Sequence, residues 1–475
     1  MTRMSNDSAP QPPSTPGAPT PSGDAATPLS WTEKIGYASG DFASCLYFGI
    51  FMNFLAYFYT DVFGISAAAV GTMILITRTW DWINDPIMGL IADRTKSRLG
   101  KFRPWLLWVL PFWAIIGVLT FTTPDLSTSG KLVYAYITYT LLTMAYTAIN
   151  VPYSALMGVM TARSEQRTVL SSFRFIGAFA ATTVVNFTML PMVTRLGGGS
   201  EQRGFTLAVV VLAVVSSASF VFTFATTHER VQPPKAQQTN VGKDLLGLLR
   251  NAPWLVLALV SVLTIMWIAV RGGVTIHYFK YASGSRDLGG VFLGISTAVQ
   301  VFGVMLTKHI VHWLGGKKRA FITLTLANGA FIGLFYFIDP TAIGLIMTHQ
   351  IISSAATGPL MPLFWSMIAD SADYSQWKLG QRATGLIFST GTAVTKIGWS
   401  IGPAISLWLL DAYGFAANQD QTAETIRGMH LIMCVIPAGI TVLAAGAVML
   451  YPINARVEKE MEAAIIAQGK VASSV

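Results

Sequence analysis

Two aspartates stand one helical turn apart inside an otherwise apolar run. Residues 79–89 read T-W-D-W-I-N-D-P-I-M-G, which places Asp81, Asn84 and Asp85 together. On a helix, positions i and i+4 project from one face, and Asn84 lies on its flank. Two anions at that spacing repel one another, and a bound cation or a shared proton relieves the repulsion. Each carboxylate held near the middle of a bilayer costs about 2.5–3.5 kcal/mol on insertion scales, so the pair costs on the order of 5–7 kcal/mol. Net stabilities are about 5–15 kcal/mol, so something must offset this. Pro86 lacks an N–H, so the carbonyl of Trp82 loses its helical partner and the helix can bend there. A bend beside oxygen-bearing side chains suits a cation that takes several oxygen ligands. Asp81 and Asp85 are therefore the candidate metal-ion ligands, with Asn84 beside them. An inert network with Arg78 is the competing reading, but packing alone does not call for three polar groups in one turn.

Other polar residues interrupt the apolar runs. Asp41, in G-D-F, is an isolated acid, and Lys396, in T-G-T-A-V-T-K-I-G, is an isolated cation. Lys396 can neutralise the aspartate pair when no ion is bound. Thr147 and Asn150 lie three residues apart in A-Y-T-A-I-N-V-P-Y and share a helix face, while Pro152 frees the carbonyl of Ala148. Pro359, Pro362 and Pro403 break later runs near Trp365. The histidines at 277, 309, 312, 349 and 430 are scattered, and no nucleophile–base pair or metal-ligand spacing is found. An enzyme is not expected, nor any cofactor beyond a coupling cation. Cys45 and Cys434 sit inside apolar runs and read as small buried hydrophobes, not as a disulfide.

The elements that position these residues must be membrane helices. Of 475 residues, 52% are hydrophobic and only 12% charged, where a soluble chain carries about 25% charged residues. Mean hydropathy is +0.53. Apolar runs recur at the roughly 20-residue length that a bilayer demands. Twelve are predicted: 36–62, 66–92, 104–124, 132–158, 172–194 and 205–227, then 253–279, 288–311, 320–338, 342–368, 384–410 and 428–452. The expectation is an all-α membrane protein of twelve spans in two six-helix bundles, residues 31–227 and 253–452. A basic cytoplasmic linker, 228–252, polar first and then a short interfacial helix, separates them. Residues 1–30, rich in proline, serine, threonine and alanine, are expected to be a disordered tail, without the apolar core of a secretory leader. Residues 453–475 form a second tail. Lys and Arg number twenty-one on the side of the N-terminal tail and six on the other, which places both termini in the cytoplasm. The net charge of +9 is thereby accounted for by topology and gives no reason to expect nucleic acid.

The run R-T-W-D-W-I-N-D-P-I-M-G-L-I-A-D-R-T-K-S-R-L-G-K-F-R-P-W resembles the signature of the glycoside–pentoside–hexuronide:cation symporters, the melibiose-permease branch of the major facilitator superfamily. Y-A-S-G-D-F, Y-F-Y-T-D-V-F-G and F-W-S-M-I-A-D-S-A-D-Y-S-Q-W-K-L-G-Q-R extend the resemblance over nearly the whole chain beyond its first tail. It implies the two-bundle major facilitator fold in a bacterial inner membrane, with alternating access around a midplane cavity. It implies a sodium-type cation site at Asp81, Asn84, Asp85 and Thr147. Asp41, Asn150, Arg174 and Trp365 correspond to sugar-cavity positions, and Lys396 to a lysine beside the cation. Asp93, Arg94, Lys101 and Arg103 resemble the superfamily's loop between the second and third spans, a charged network that latches the bundles in one state. Galactoside-carrying members have an acid where this chain has Asn150 and a tryptophan where it has Ser154, so galactosides lose an ionic acceptor and a stacking platform here.

The resemblance thus implies symport of Na⁺ or H⁺ with a sugar or glycoside, whether pentoside, hexoside or hexuronide. The expected partners are that sugar, a monovalent cation and the lipid bilayer; no oligomeric state is assigned. Two alternatives are a cation-coupled lysolipid-type transporter and a non-transporting sensor on the same scaffold. The loop D-R-T-K-S-R-L-G-K-F-R-P weighs against the first, and the short linker and second tail against the second.

Overall fold

The computed structural model describes residues 28–161, 163–231, 248–379, 384–461 and 463–464. The expected N-terminal tail up to residue 27, linker residues 232–247 and residues 465–475 of the second tail lie outside the described residues. The described chain is helical throughout its long elements, numbered here in order. The first group is α1 (Trp31–Asn53), α2 (Ala67–Arg94), α3 (Leu110–Thr120), α4 (Thr128–Met160), α5 (Ser164–Gly197) and α6 (Glu201–Thr226). The second is α7 (Ala252–Tyr281), α8 (Arg286–Trp313), α9 (Lys317–Leu334), α10 (Ile343–Thr357), α11 (Leu360–Leu379), α12 (Thr384–Ala412), α13 (Ala423–His430) and α14 (Ile436–Met449). Among the described residues, 9 helices are long and apolar enough to cross a membrane, some of them formed by consecutive elements. The count rises to 10 if Trp31–Asn53 and Leu55–Val62, bent by 54° at Phe54, make one span.

Two of the expected apolar segments fold as helices yet fall short of that standard. Segment 66–92 becomes α2, which is long but carries Arg78, Asp81 and Asp85 at its centre. Segment 104–124 becomes a short apolar helix, Trp105–Thr120, broken at Val109. Functional polarity in one case and length in the other explain the shortfall. Pro86 does not end α2: the helix continues through it to Arg94. Between α10 and α11 the helix does break, at Gly358 and Pro359.

Helix starts follow from local chemistry. Ser30 caps α1, its side chain accepting from the Glu33 N–H while Glu33 accepts from the Ser30 N–H, which satisfies two otherwise orphaned donors. Ser66, Ser127 and Ser200 cap α2, α4 and α6 in the simpler way.

Within the first half, α1 packs mainly on α5 and α6; within the second, α7 packs on α12 and α14. Between the halves, α2 lies along α12 and α5 along α8. These contacts set the depth at which site residues on α1, α2, α4, α5 and α12 meet. The α1–α5 crossing is close because Gly177 has no side chain: a Cβ there would run into the carbonyl oxygen of Ala38. Backbone cannot move aside as a flexible side chain can, so a larger residue forces the helices apart. Gly177→Val should therefore lower stability by about 1–3 kcal/mol or more. Thermal unfolding of the detergent-purified protein measures this, and an unchanged midpoint would show that the crossing is not tight.

Candidate functional site

Helix α2 brings Asp81 and Asp85 to the side facing α4 and α12. Thr147 on α4 donates its hydroxyl to Asp85 Oδ1 at 3.0 Å, and Lys396 on α12 donates its ammonium to Asp85 Oδ2. One turn earlier, Asp81 is only 6% exposed, and its Oδ1 has no hydrogen-bond partner in the structure. Arg78 does not bond it: its Nε donates to the Tyr139 hydroxyl at 2.9 Å. Arg78, Lys396, Asp85 and Thr143 are the groups that act on Asp81 electrostatically or by hydrogen bonding. Asn84 is half-buried on the flank. Buried carboxylate oxygens normally have partners, so the Asp81 oxygen is an unfilled acceptor one helical turn from the Asp85 that Thr147 and Lys396 hold. The donor set of carboxylates, hydroxyl and amide is what a hard monovalent cation takes, and carboxylates alone also serve a proton.

A second cluster joins α1, α4 and α5. Arg174 grips Asp41 with two donors, Nε to Oδ2 and a terminal nitrogen to Oδ1 at 3.2 Å. The guanidinium lies 5.1 Å from the Tyr153 ring centre and 5.8 Å from that of Tyr37, and these two rings stack. Tyr153 OH accepts from the Asp41 backbone N–H at 3.2 Å. Ser154 sits at 3.5 Å from Arg174. Asn150 accepts from the Ser44 hydroxyl at 2.8 Å and donates to the backbone oxygen of Tyr146. Asp41 and Arg174, expected separately, are therefore one ion pair. Trp365 lies apart from this cluster, on α11, its ring stacked 6.1 Å from Phe388 on α12.

The expected loop network is present but local. Lys101 pairs with Asp93 at 2.9 Å, Arg103 donates to the backbone oxygen of Phe224 at 2.8 Å, and Arg94 is exposed. These bonds stay inside the first half. Glu229 was not anticipated: its carboxylate accepts three successive backbone N–H groups, from Lys101, Phe102 and Arg103, at 2.7–2.9 Å. A carboxylate that receives a turn of backbone donors fixes the loop's shape regardless of its basic side chains.

At the opposite end of the helices the halves are bonded directly. The Asp61 side chain is fully buried and lies 2.8 Å from Lys280 Nζ and 3.3 Å from His277 Nε2, both on α7. It also accepts from the Tyr281 hydroxyl and, at 2.7 Å, from Thr60. Asn418 donates to the Asp61 backbone oxygen at 2.6 Å. Arg286 pairs with Glu201, and Asn186 donates to Thr297 at 3.2 Å. Asp61 stands in the Y-F-Y-T-D-V-F-G stretch; its signal was an acid at the end of one apolar run with Lys280 at the end of another.

The chain matches the model of the family described as MFS/sugar transport protein over residues 36–455. It belongs to that family. More closely, it is a glycoside–pentoside–hexuronide:cation symporter, a membrane transporter and not an enzyme. It is 39% identical over 420 residues to the inner membrane symporter YicJ of Escherichia coli, covering 88% of this chain and 90% of that protein. The isoprimeverose transporter of Lactiplantibacillus pentosus is 32% identical, with 91% of each chain covered. The glucuronide carrier protein homolog of E. coli is 30% identical, covering 93% of this chain and 97% of that protein. The crystal structure of the nucleoside transporter NupG superposes with a TM-score of 0.64 at 16% identity, over 90% of this chain and 100% of that one. That likeness gives the fold: a major facilitator architecture.

The Asp41–Arg174 pair makes a direct test of the second cluster. Removing one partner of a buried pair strands the other, at a cost of about 3–5 kcal/mol that partial exposure of Arg174 reduces here, whereas removing both does not. Arg174→Gln should destabilise the symporter strongly, and Asp41→Asn with Arg174→Gln should recover most of the loss. Thermal unfolding of the three proteins measures it; a double variant as unstable as the single one would show that the pair does not act as a unit.

Proposed function

We propose that this symporter couples entry of Na⁺ or H⁺ to uptake of a sugar or glycoside across a bacterial inner membrane. The proposed architecture is twelve spans in two six-helix halves with both termini in the cytoplasm, so the Asp61 end faces outward. The cation binds at Asp81 and Asp85, with Thr147 and Asn84 as neutral oxygen donors. The sugar binds at Asp41, Asn150 and Arg174 from the first half, and Trp365 joins from the second when the halves close. The observation that carries this reading is the unpartnered, buried Asp81 oxygen beside an Asp85 already held by Lys396 and Thr147.

Lys396 acts as a resident positive charge. It occupies Asp85 when the site is empty and yields when a cation arrives. Because it reaches across from α12 to α2, its release also loosens a bond between the halves. Sugar then meets a site whose charges have rearranged, and the two ligands favour each other's binding reciprocally. One positive charge crossing ~100 mV supplies about 2.3 kcal/mol, which supports roughly fifty-fold accumulation.

The deciding experiment is thermal stabilisation of the purified symporter by a panel of pentosides, hexosides and hexuronides, each with and without NaCl at constant ionic strength. A sugar that stabilises only with Na⁺ names substrate and ion together, and Asp85→Asn should then abolish the Na⁺ dependence and cation-driven uptake. Stabilisation that follows pH and not Na⁺ assigns a proton. Undiminished accumulation by Asp85→Asn would sink the proposed site.

The outer closure has its own test. With Cys45 and Cys434 replaced by Ser, a cysteine at Asn53, which donates to Asn186 at 2.8 Å, should react slowly with an impermeant maleimide added outside. Adding Asp61→Asn should speed the reaction about tenfold, the change that about 1.4 kcal/mol of lost closure produces. Equal rates would show that Asp61 does not hold the halves.

A further inference from the structure

Arg78 bonds the Tyr139 hydroxyl, and the other cations named in the two clusters and the outer closure each have a carboxylate: Arg174 has Asp41, Lys396 has Asp85 and Lys280 has Asp61. Arg271 on α7 does not. It is 7% exposed and makes no ion pair among the described residues. One terminal nitrogen donates to Gln350 Oε1 at 3.0 Å, and Nε has no partner. The guanidinium lies 5.1 Å from the Phe292 ring centre and 5.6 Å from that of Phe335. Arginine does not shed its proton in a protein, and a buried charge is normally paired.

Arg271 is also not isolated from the seam between the halves. Gln350 donates to Ser354 at 3.2 Å, Ser354 donates to Ser296 at 3.0 Å, and Gln300 donates to Ser296 at 3.1 Å. Ser296 and Gln300 are half-buried on α8, one turn apart. Their neighbour Thr297 accepts from Asn186 of the first half. A line of polar side chains therefore runs from the seam toward an unpaired cation.

We propose that this line is a second substrate subsite, supplied by the second half, which takes the carboxylate of an acidic sugar, that is, a hexuronide. The inference rests on the symporter reading above and selects among its substrate classes. A guanidinium offers a carboxylate two parallel donors, and the Gln350 oxygen now accepting from Arg271 stands where a carboxylate oxygen would. Arg174 cannot play this part, because Asp41 already holds it. The Arg271 subsite thus reads charge, while the Asp41–Arg174 cluster reads hydroxyls.

The test compares a methyl glucuronide with the corresponding methyl glucoside, which differs only in carrying a hydroxymethyl group where the uronide has its carboxylate. Apparent affinities come from thermal stabilisation of the full-length protein at saturating coupling cation. The parent should prefer the uronide at least tenfold, and in Arg271→Gln the ratio should fall to about one. Gln350→Glu, which supplies Arg271 with an internal carboxylate, should also erase the preference and serves if Arg271→Gln does not fold. A parent that binds the two equally, or prefers the glucoside, overturns the proposal while leaving symport intact. A ratio that survives in both variants overturns it too, giving Arg271 a packing role only. Absence of stabilisation by any sugar in the wider panel overturns the symporter reading and this inference with it.

Discussion

The bond from Lys396 to Asp85 is the constraint around which the rest of the molecule is arranged. It is made at mid-helix, between α12 of one half and α2 of the other, at a depth where an uncompensated charge is costly in a bilayer. Two carboxylates one turn apart demand positive charge, and the chain supplies it from Arg78, which acts on Asp81 while bonding the Tyr139 hydroxyl, and from an isolated lysine on the helix that lies along α2, which bonds Asp85. One lysine cannot satisfy both acids. Asp85 is filled by Lys396 and Thr147, and Asp81 keeps an oxygen with no partner. The imbalance is local, it is buried, and it sits on the contact between the halves.

The same logic of pairing explains why the first half is rigid where the site is built. Asp41 is held by Arg174, whose guanidinium lies beside the stacked rings of Tyr37 and Tyr153. Gly177 lets α5 approach the α1 backbone closely enough for that pair to form. At the loop end, Glu229 receives a turn of backbone N–H groups and fixes residues 101–103 against the end of α6. Each of these bonds lies within one half. The bonds between halves gather at mid-depth and at the Asp61 end, so the two halves can keep their internal geometry while the contact between them changes.

Most of the architecture was legible in the sequence because membrane helices announce themselves by length and apolarity. Each of the twelve expected apolar segments is occupied by helix, though some ends differ widely: the segment expected from 172 starts at Ser164, and the one expected to end at 368 runs to Leu379 after a break. The two that fall short of a membrane span by composition or length are informative: α2 is polar because it carries the site, and Trp105–Thr120 is short because the basic loop precedes it. The aspartate pair was legible from spacing alone. Of its partners, Lys396 was matched to the pair by charge as an isolated cation in an apolar run, although it lies 311 residues from Asp85, while Thr147, 62 residues away, came to the site only through the family resemblance. The pairing of Asp41 with Arg174, across 133 residues, was invisible for the same reason. Glu229 and Asp61 looked like ordinary charges at helix ends, and only folded geometry shows that one gathers a loop and the other bridges two halves.

A symporter must be able to close around both ligands and must not move with one alone, and charge bookkeeping offers a physical route to that rule. With the cation site assigned as proposed, an arriving ion fills the Asp81 oxygen that has no partner and competes with Lys396 for Asp85. The ammonium that is displaced is itself left half-exposed at the seam. A polar or acidic substrate bound alongside gives it a new partner; an empty cavity does not. Movement with the cation alone would then carry an unpaired lysine through a dry, closed state, at the desolvation cost that makes such states rare. The sugar lowers that cost by supplying acceptors, and the cation lowers the cost of sugar binding by freeing the lysine. Coupling in this arrangement needs no long-range signal. It follows from one ammonium shared between a carboxylate pair and a substrate across the contact of two rigid halves.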